Sequence, residues 1–252
     1  MCGRLTLTRS GDEIAAYFAE AMAMLVAGDG ARELDGAPLR PRFNVSPMRD
    51  VLTLVPADGG AAFAWKRWGL VPSWAKDPSI GNRTFNARAE TVAEKPSFRA
   101  AFRRRRCLVA ADGFYEWTPK NRDHRPFHFT PTRTALLGFA GLYESWSGEG
   151  GEVIESATVI TTDANADLTD VHHRMPVVLD PSDYARWIDP ASEKDALLAL
   201  LRPSVPGTLD RRPVSRYVND PRHEGPRCLE DEEKAEQGAL FELDPGVDDE
   251  EF

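Results

Sequence analysis

Cysteine is scarce in this sequence, with three residues at positions 2, 107 and 228 of a 252-residue chain. Their odd number and wide spacing argue against a disulfide framework. No Cys-x-x-Cys pattern occurs, so the usual paired-cysteine zinc spacing is missing and neither a metal nor a cofactor is expected. Long apolar runs are lacking too, with no stretch of about 18 residues that would span a membrane. The start carries no basic region followed by an apolar stretch, so a secretory leader is not expected and a cytoplasmic location is the default. No internal repeat is found.

What is there is the composition of an ordinary globular protein, 42% hydrophobic and 28% charged. The net charge of −9 is unevenly spread. Residues 229–252 hold 11 acidic side chains and one lysine, a net of −10, which leaves 30 basic and 29 acidic groups, a net of +1, on the first 228. The division predicts a folded domain over residues 1–228 and an acidic, disordered tail over 229–252, with Ala239-Leu240-Phe241 as a segment able to dock. Because the acidity is confined to the tail, a nucleic-acid partner is not excluded.

Periodicity predicts a β-rich α+β domain with a few peripheral helices. Cys2 to Thr8 alternates as a half-buried strand, with Leu5 and Leu7 inward and Cys2, Arg4, Thr6 and Thr8 on the other face. Ser10 and Glu13 form a capping box. The apolar stripe Ile14, Phe18, Met22 and Leu25 then predicts a helix ending near Gly28. Residues 28–42 read as a surface loop. Strands are expected at 51–55, 62–69, 107–111, 114–118, 134–143, 157–162 and 213–218. Helices are expected over 96–103, from Pro181 through Trp187, and from a Ser192 cap through Leu201. The run Arg103-Arg104-Arg105-Arg106 reads as a solvated helix end.

Four segments carry chemistry. Loss of Met1 would give Cys2 a free amine and a thiol on adjacent carbons. The amine, with a pKa of about 7.7–8.0, is on the order of one-tenth neutral at pH 7, and the thiol, near about 8.5, is a few per cent thiolate. An amine attacks an aldehyde to give a Schiff base, and a neighbouring thiol closes onto the same carbon as a five-membered thiazolidine. Asn86, Arg88 and Glu90 alternate as on one strand face, a pattern that surface strands also show. Glu116 lies between Tyr115 and Trp117, where partial burial would raise its pKa for proton transfer, although a purely structural glutamate fits as well. His172 and His173 precede Arg174 and an apolar strand, which suits acid–base or phosphate chemistry.

Together, Cys2-Gly3-Arg4, Asn86-Ala87-Arg88-x-Glu90-Thr91, Phe114-Tyr115-Glu116-Trp117 and His172-x-Arg174-Met175-Pro176 resemble the SOS-response-associated peptidase (SRAP) family of abasic-site processing proteins. Phe43-Asn44-Val45-Ser46-Pro47, Trp68-Gly69-Leu70-Val71-Pro72 and Pro213-Val214-Ser215 resemble family segments as well, and the likeness covers roughly residues 2–222. The resemblance implies a single domain of bent antiparallel sheets. It further implies that Cys2, exposed by removal of Met1, traps the aldehyde of an abasic site in single-stranded DNA as a thiazolidine. Asn86 would orient the sugar and the Cys2 backbone, Glu116 would be the acid–base group beside the amine, and His172 would aid ring opening and crosslink reversal. Arg4, Arg88 and Arg174 are implied phosphate ligands, and Pro47 and Trp74 apolar positions against which bases pack. Abasic single strands near junctions with duplex are the implied partner of a monomer that associates with the nucleoid when bound. Autopeptidase (protease, hydrolase) and lyase activities are implied beside the crosslink. His173 stands where the family more often has an acidic or amide residue, and would repel charge on His172.

Two other readings compete. A thiol peptidase would use Cys2, His172 and Glu116 as nucleophile, base and orienter. A non-covalent single-strand-binding module would leave Cys2 incidental.

Overall fold

A computed structural model of the chain describes residues 2–232 apart from 23–24, 28–32 and 35–36. In chain order the elements are β1 (Leu5–Leu7), α1 (Gly11–Met22), β2 (Leu25–Ala27), β3 (Glu33–Leu34), β4 (Ala37–Pro38), β5 (Arg42–Val45), β6 (Asp50–Ala57), β7 (Gly60–Trp68) and β8 (Asn86–Arg88). Then follow α2 (Arg99–Arg104), β9 (Arg106–Ala111), β10 (Gly113–Trp117), β11 (Pro126–Pro131), β12 (Leu137–Ser147), β13 (Val153–Asp163), β14 (Arg174–Pro176), α3 (Tyr184–Ile188), α4 (Lys194–Leu200) and β15 (Leu209–Pro213). The chain is thus α+β and mostly β.

The larger sheet runs β14-β13-β12-β9-β6-β7-β2, and β7 also pairs in parallel with β13, which closes β13, β12, β9, β6 and β7 into a five-stranded barrel. The second sheet runs β15-β11-β10-β1-β5. Alternation along single strands feeds two cores. Leu108 and Ala110 of β9 join one cluster with α1, α2, α3 and α4, while Cys107, Val109 and Ala111 join another with β1, β10 and β11. Because both faces of β9 are covered, its sequence reads as a continuous apolar run instead of an alternation. Cys2 lies in the second cluster, beside Leu5, Trp68 and Phe114.

Several expectations change. Strand β1 is buried on both faces, Thr6 as fully as Leu5, because the segment after β15 covers the outer face of its sheet; there Val214, Val218 and Cys228 pack on Tyr115. The capping box forms, with Ser10 N and Oγ donating to Glu13 at 2.9 and 2.8 Å and Glu13 N donating back to Ser10 Oγ at 3.3 Å. The helix it opens stops at Met22, and Leu25 begins β2, so the apolar stripe ran on into a strand. Strands β5, β11 and β14 were not anticipated, and β3 pairs with β4 inside the stretch expected to be a surface loop. The last strand ends at Pro213 rather than beginning there, because Ser215 Oγ accepts from Tyr217 N and starts a short 3-10 turn. Helix α4 is preceded by Glu193, not capped by Ser192, whose hydroxyl donates to Arg186 O instead.

The arginine run is not uniformly solvated. Arg106 is 1% exposed and donates to the carbonyls of Phe102, Arg103, Trp187 and Asp189, gathering the carboxyl ends of α2 and α3. The parts of the 28–42 loop noted above, and the tail from 233 including Ala239-Leu240-Phe241, lie outside the described residues. Glu230, Asp231 and Glu232 lie within them. Ser215 N donates to Glu230 O at 2.8 Å, and Asp231 meets Arg212 at 2.8 Å.

Candidate active site

The site is assembled from four segments far apart in sequence. Cys2 enters just before β1, and its carbonyl accepts from Asn86 Nδ2 at 2.6 Å. Asn86 opens β8, a strand held in parallel register on β13 with Asn86 opposite Val159. Asn86 Oδ1 is buried and has no hydrogen-bond partner among the described residues, which leaves an acceptor directed at this locale. Glu116, 3% exposed, stands on β10 next to β1. His172 closes the turn 165–172, where its N–H donates to Leu168 O at 3.0 Å, and its Nδ1 lies 3.7 Å from Glu116 Oε1.

Burial sets the electrostatics. Desolvation, followed by the negative charge of Glu116, pushes the Cys2 thiol far above its ordinary range. Desolvation likewise raises the Glu116 carboxyl. His172 is pulled down to about 4 mainly by desolvation, with the charges of His173 and Arg174 adding to the effect. The His173 ring is stacked on His172 at 4.4 Å and 27°. Arg174 N–H lies 2.9 Å and Arg174 O 3.2 Å from His172 Nδ1, so the Arg174 backbone fixes the orientation of the ring. A neutral imidazole beside a carboxyl whose pKa is raised by burial forms an acid–base pair in a poorly solvated pocket.

The arginines expected on phosphates behave differently from one another. Arg88 is exposed at the end of β8. Arg4 donates to Asn44 Oδ1 at 2.7 Å, Val218 O at 2.8 Å and Asn219 O at 3.2 Å, and lies 5.6 Å from the Trp117 ring. Asn44 in turn donates to the carbonyls of Asp220 and His223, so Arg4 and Asn44 strap the C-terminal segment onto β1 and β5. Arg174 is buried and forked onto Glu90 at 2.7 and 3.0 Å, with further bonds to Asp163 and Thr161 O. Its hydrogen bonds hold the Glu90 carboxyl below the usual range. Glu90 itself lies beyond the end of β8, so the alternation Asn86, Arg88, Glu90 does not continue as one strand.

Trp74 is 58% exposed on a braced loop, in which Thr84 Oγ1 donates to Leu70 O and Trp146 Nε1 donates to Ala75 O, each at 2.6 Å. The loop leaves β7 at Gly69, whose φ of 144° and 2.6 Å clearance from Gly81 O admit no side chain. Half-buried Pro47 precedes Met48, whose N–H donates to Trp68 O, so the Pro47 turn abuts the root of the Trp74 loop. Among the described residues no group of three or more His, Cys, Asp or Glu is placed to hold a metal. Sequence reasoning missed Asn44, Glu90 and Asp163 as braces; only Asn44 and Glu90 lay in motifs that had drawn notice.

Comparison with known proteins places this arrangement. The family model described as SOS response associated peptidase (SRAP) matches residues 1–221. The abasic site processing protein YoqW of Bacillus subtilis is 37% identical over 234 residues, covering 91% of this chain and 99% of YoqW. The abasic site processing protein HMCES of Xenopus tropicalis is 32% identical over 267 residues, covering 91% and 78%. A solved protein of Bacteroides thetaiotaomicron shares the fold, with a TM-score of 0.78 at 24% identity over 91% of this chain and 99% of that one. A phage-related protein of Bordetella bronchiseptica aligns with a TM-score of 0.61 at 26% identity, over 84% and 94%. The chain belongs to the SOS response associated peptidase family.

Proposed function

We propose that this protein processes abasic sites in single-stranded DNA by covalent capture at Cys2 after removal of Met1. The observation that carries the reading is the convergence at one buried locale of Cys2, tied to Asn86 through its carbonyl, with Glu116 and His172 held 3.7 Å apart. The relatives named for abasic-site processing support the substrate class.

The steps balance as follows. The Cys2 amine adds to the C1′ aldehyde of the ring-opened sugar, and the carbinolamine loses water to give an imine. The thiol then adds to the imine carbon and its proton passes to nitrogen, closing the thiazolidine. The net change is loss of one water. Glu116, its carboxyl pKa raised by burial, donates a proton to the departing hydroxyl. Neutral His172 hydrogen-bonds the sugar ring oxygen during ring opening, while that oxygen takes up the proton released by the C1′ hydroxyl, and the opposite transfer serves reversal. A thiol kept protonated by burial suits second-step closure better than first-step attack. For the same reason the thiol-peptidase reading fares poorly: it needs a thiolate, and His172, pulled down to about 4 with Nδ1 engaged by the Arg174 backbone, is a weak base for making one.

In binding, Arg88 positions a phosphate without reading sequence. Arg4 and Arg174 brace the site. Trp74 offers a face on which a base stacks, a contact contributing about 1–3 kcal/mol and tolerant of sequence. The strand lies near a junction with duplex, against the Pro47 turn.

Intact mass after mixing with an abasic oligonucleotide tests the proposal. The expected product is protein lacking Met1 plus oligonucleotide minus one water, stable to heat. Cys2→Ser should lose that product yet keep an imine trappable by borohydride, and a retained N-terminal tag should abolish both while DNA affinity survives. Equal adduct from the tagged chain would remove the amine from the mechanism.

A further inference from the structure

The inner face of the five-stranded sheet carries a feature that the capture chemistry leaves unused. Directly opposed residues of antiparallel neighbours project to the same face. The register sets Glu116 opposite Phe127, and Phe127 opposite Pro213, across β10, β11 and β15. Two residues before Pro213, and so on that same face, is Arg211. Half-buried Phe127 holds the Arg211 guanidinium 5.8 Å from its ring centroid and the Arg125 guanidinium 5.6 Å from it. An aromatic ring between two cations, on the face that bears Glu116, has the chemistry of a single-strand track: guanidiniums for phosphates, a ring for a base.

The cations are occupied from within the chain. Arg211 Nη2 meets Asp170 at 3.0 Å, in the turn that carries His172. Arg125 Nε bonds Glu232, whose other carboxylate oxygen lies 3.7 Å from Arg216 Nε. The Glu232 side chain is only 12% exposed, which is unusual for a carboxylate at the root of an acidic tail. Beyond it the sequence continues for 20 residues with eight acidic side chains and one lysine, a net of −7.

We infer that Arg125, Phe127 and Arg211 form a strip that seats the single strand flanking the site, and that Glu232 holds the root of the acidic tail on this strip as an intramolecular competitor for phosphate. The inference rests on the nucleic-acid reading above and extends it to a surface outside the four-residue site. Competition of this kind lowers affinity for undamaged strands, which any lesion-specific protein meets in excess, and leaves the covalent step untouched.

Binding of an undamaged oligothymidylate by the full chain, titrated against salt, tests it. Each phosphate contact removed should lower the slope of log affinity against log salt by about 0.7. Arg125→Ala and Arg211→Ala should each do so, whereas Arg125→Lys and Arg211→Lys should keep the slope. Glu232→Gln should tighten binding several-fold at low salt, and Arg125→Ala in the same chain should cancel that gain. Unchanged slopes in both alanine variants, or an affinity unmoved by Glu232→Gln, overturns the inference. So does a slope lost equally with alanine and lysine, since that marks a structural role. Adduct yield with a saturating abasic oligonucleotide is read separately: its absence in the unsubstituted chain defeats the capture mechanism, while the salt slopes still decide the strip.

Discussion

His128 shows what one buried side chain does to the acid limb of stability. Its Nε2 lies 3.1 Å from Thr6 Oγ1, and its Nδ1 is buried with no hydrogen-bond partner among the described residues. Desolvation, aided by the charge of Arg212, pulls the ring down to about 4 from its ordinary value of about 6.5. The folded state therefore binds the neutral ring, and the unfolded state takes up a proton first as pH falls. The stabilisation is complete above about 6.5 and is lost progressively as pH drops towards 4, amounting to about 3 kcal/mol over that window. His172 shifts in the same direction over the same window, but being less deeply buried it contributes less. Denaturant unfolding across pH 7 to 4 should show a shallower loss for His128→Asn than for the unsubstituted chain, whatever the offset between the curves. Parallel curves would clear His128 of the effect.

At the scale of elements, β8, β13 and β14 are joined by one guanidinium. Arg174 opens β14, and through Glu90, Asp163 and the Thr161 carbonyl it ties that strand to β13 and to the turn after β8. Its own N–H fixes His172. Arg88, two residues from Asn86, is exposed and has none of these duties. The two arginines should therefore separate in experiment. Arg174→Ala leaves two carboxylates without their donor and should destabilise by about 1–3 kcal/mol, with a lowered melting temperature and slower adduct formation. Arg88→Ala should leave melting unchanged and reduce only the salt dependence of DNA binding. Equal melting shifts for both would dissolve the distinction. Both residues sit in short motifs, and only the pairing of β14 with β13 assigns them different work.

The whole molecule is layered, with helices on one side of the barrel, the five-stranded sheet on the other, and the segment from Val214 to Leu229 over the outer face of that sheet. That outer segment makes Thr6, Tyr115 and His128 interior residues, and Arg4, Asn44 and Trp117 hold it in place. A chain ending after Glu232 should unfold at the same temperature as the full chain. A chain ending after Pro213 should lose its cooperative transition and bind an apolar dye, because one face of β1 and β10 would be bare. Identical melting of the two shortened chains would show the cover to be dispensable. The folded body accordingly takes in Leu229 to Glu232, beyond the Cys228 expected from the sequence.

Much of this could be read from the sequence because local physics decided it. The capping box of α1 needs only Ser10 and Glu13 three residues apart, and the pairing of amine with thiol at position 2 is covalent. Most of the longer strands announced themselves by apolar period or run, and the motifs around Asn86, Glu116 and His172 carried a family likeness. Other features had no local signal. Leu25 continues a helical stripe yet pairs with β7, because strand pairing outweighs a weak helical preference. Thr6 looks like an outward residue, and nothing near it in sequence foretells a cover some 210 residues later. Arg4 and Arg174 look like phosphate ligands, and their acceptors come from segments brought close only by the sheets. Residue identity determined which groups were available for chemistry. Tertiary packing decided which of them stay exposed, which become braces and which are stripped of water, since desolvation and ion pairing depend on neighbours in space and not on neighbours in the chain.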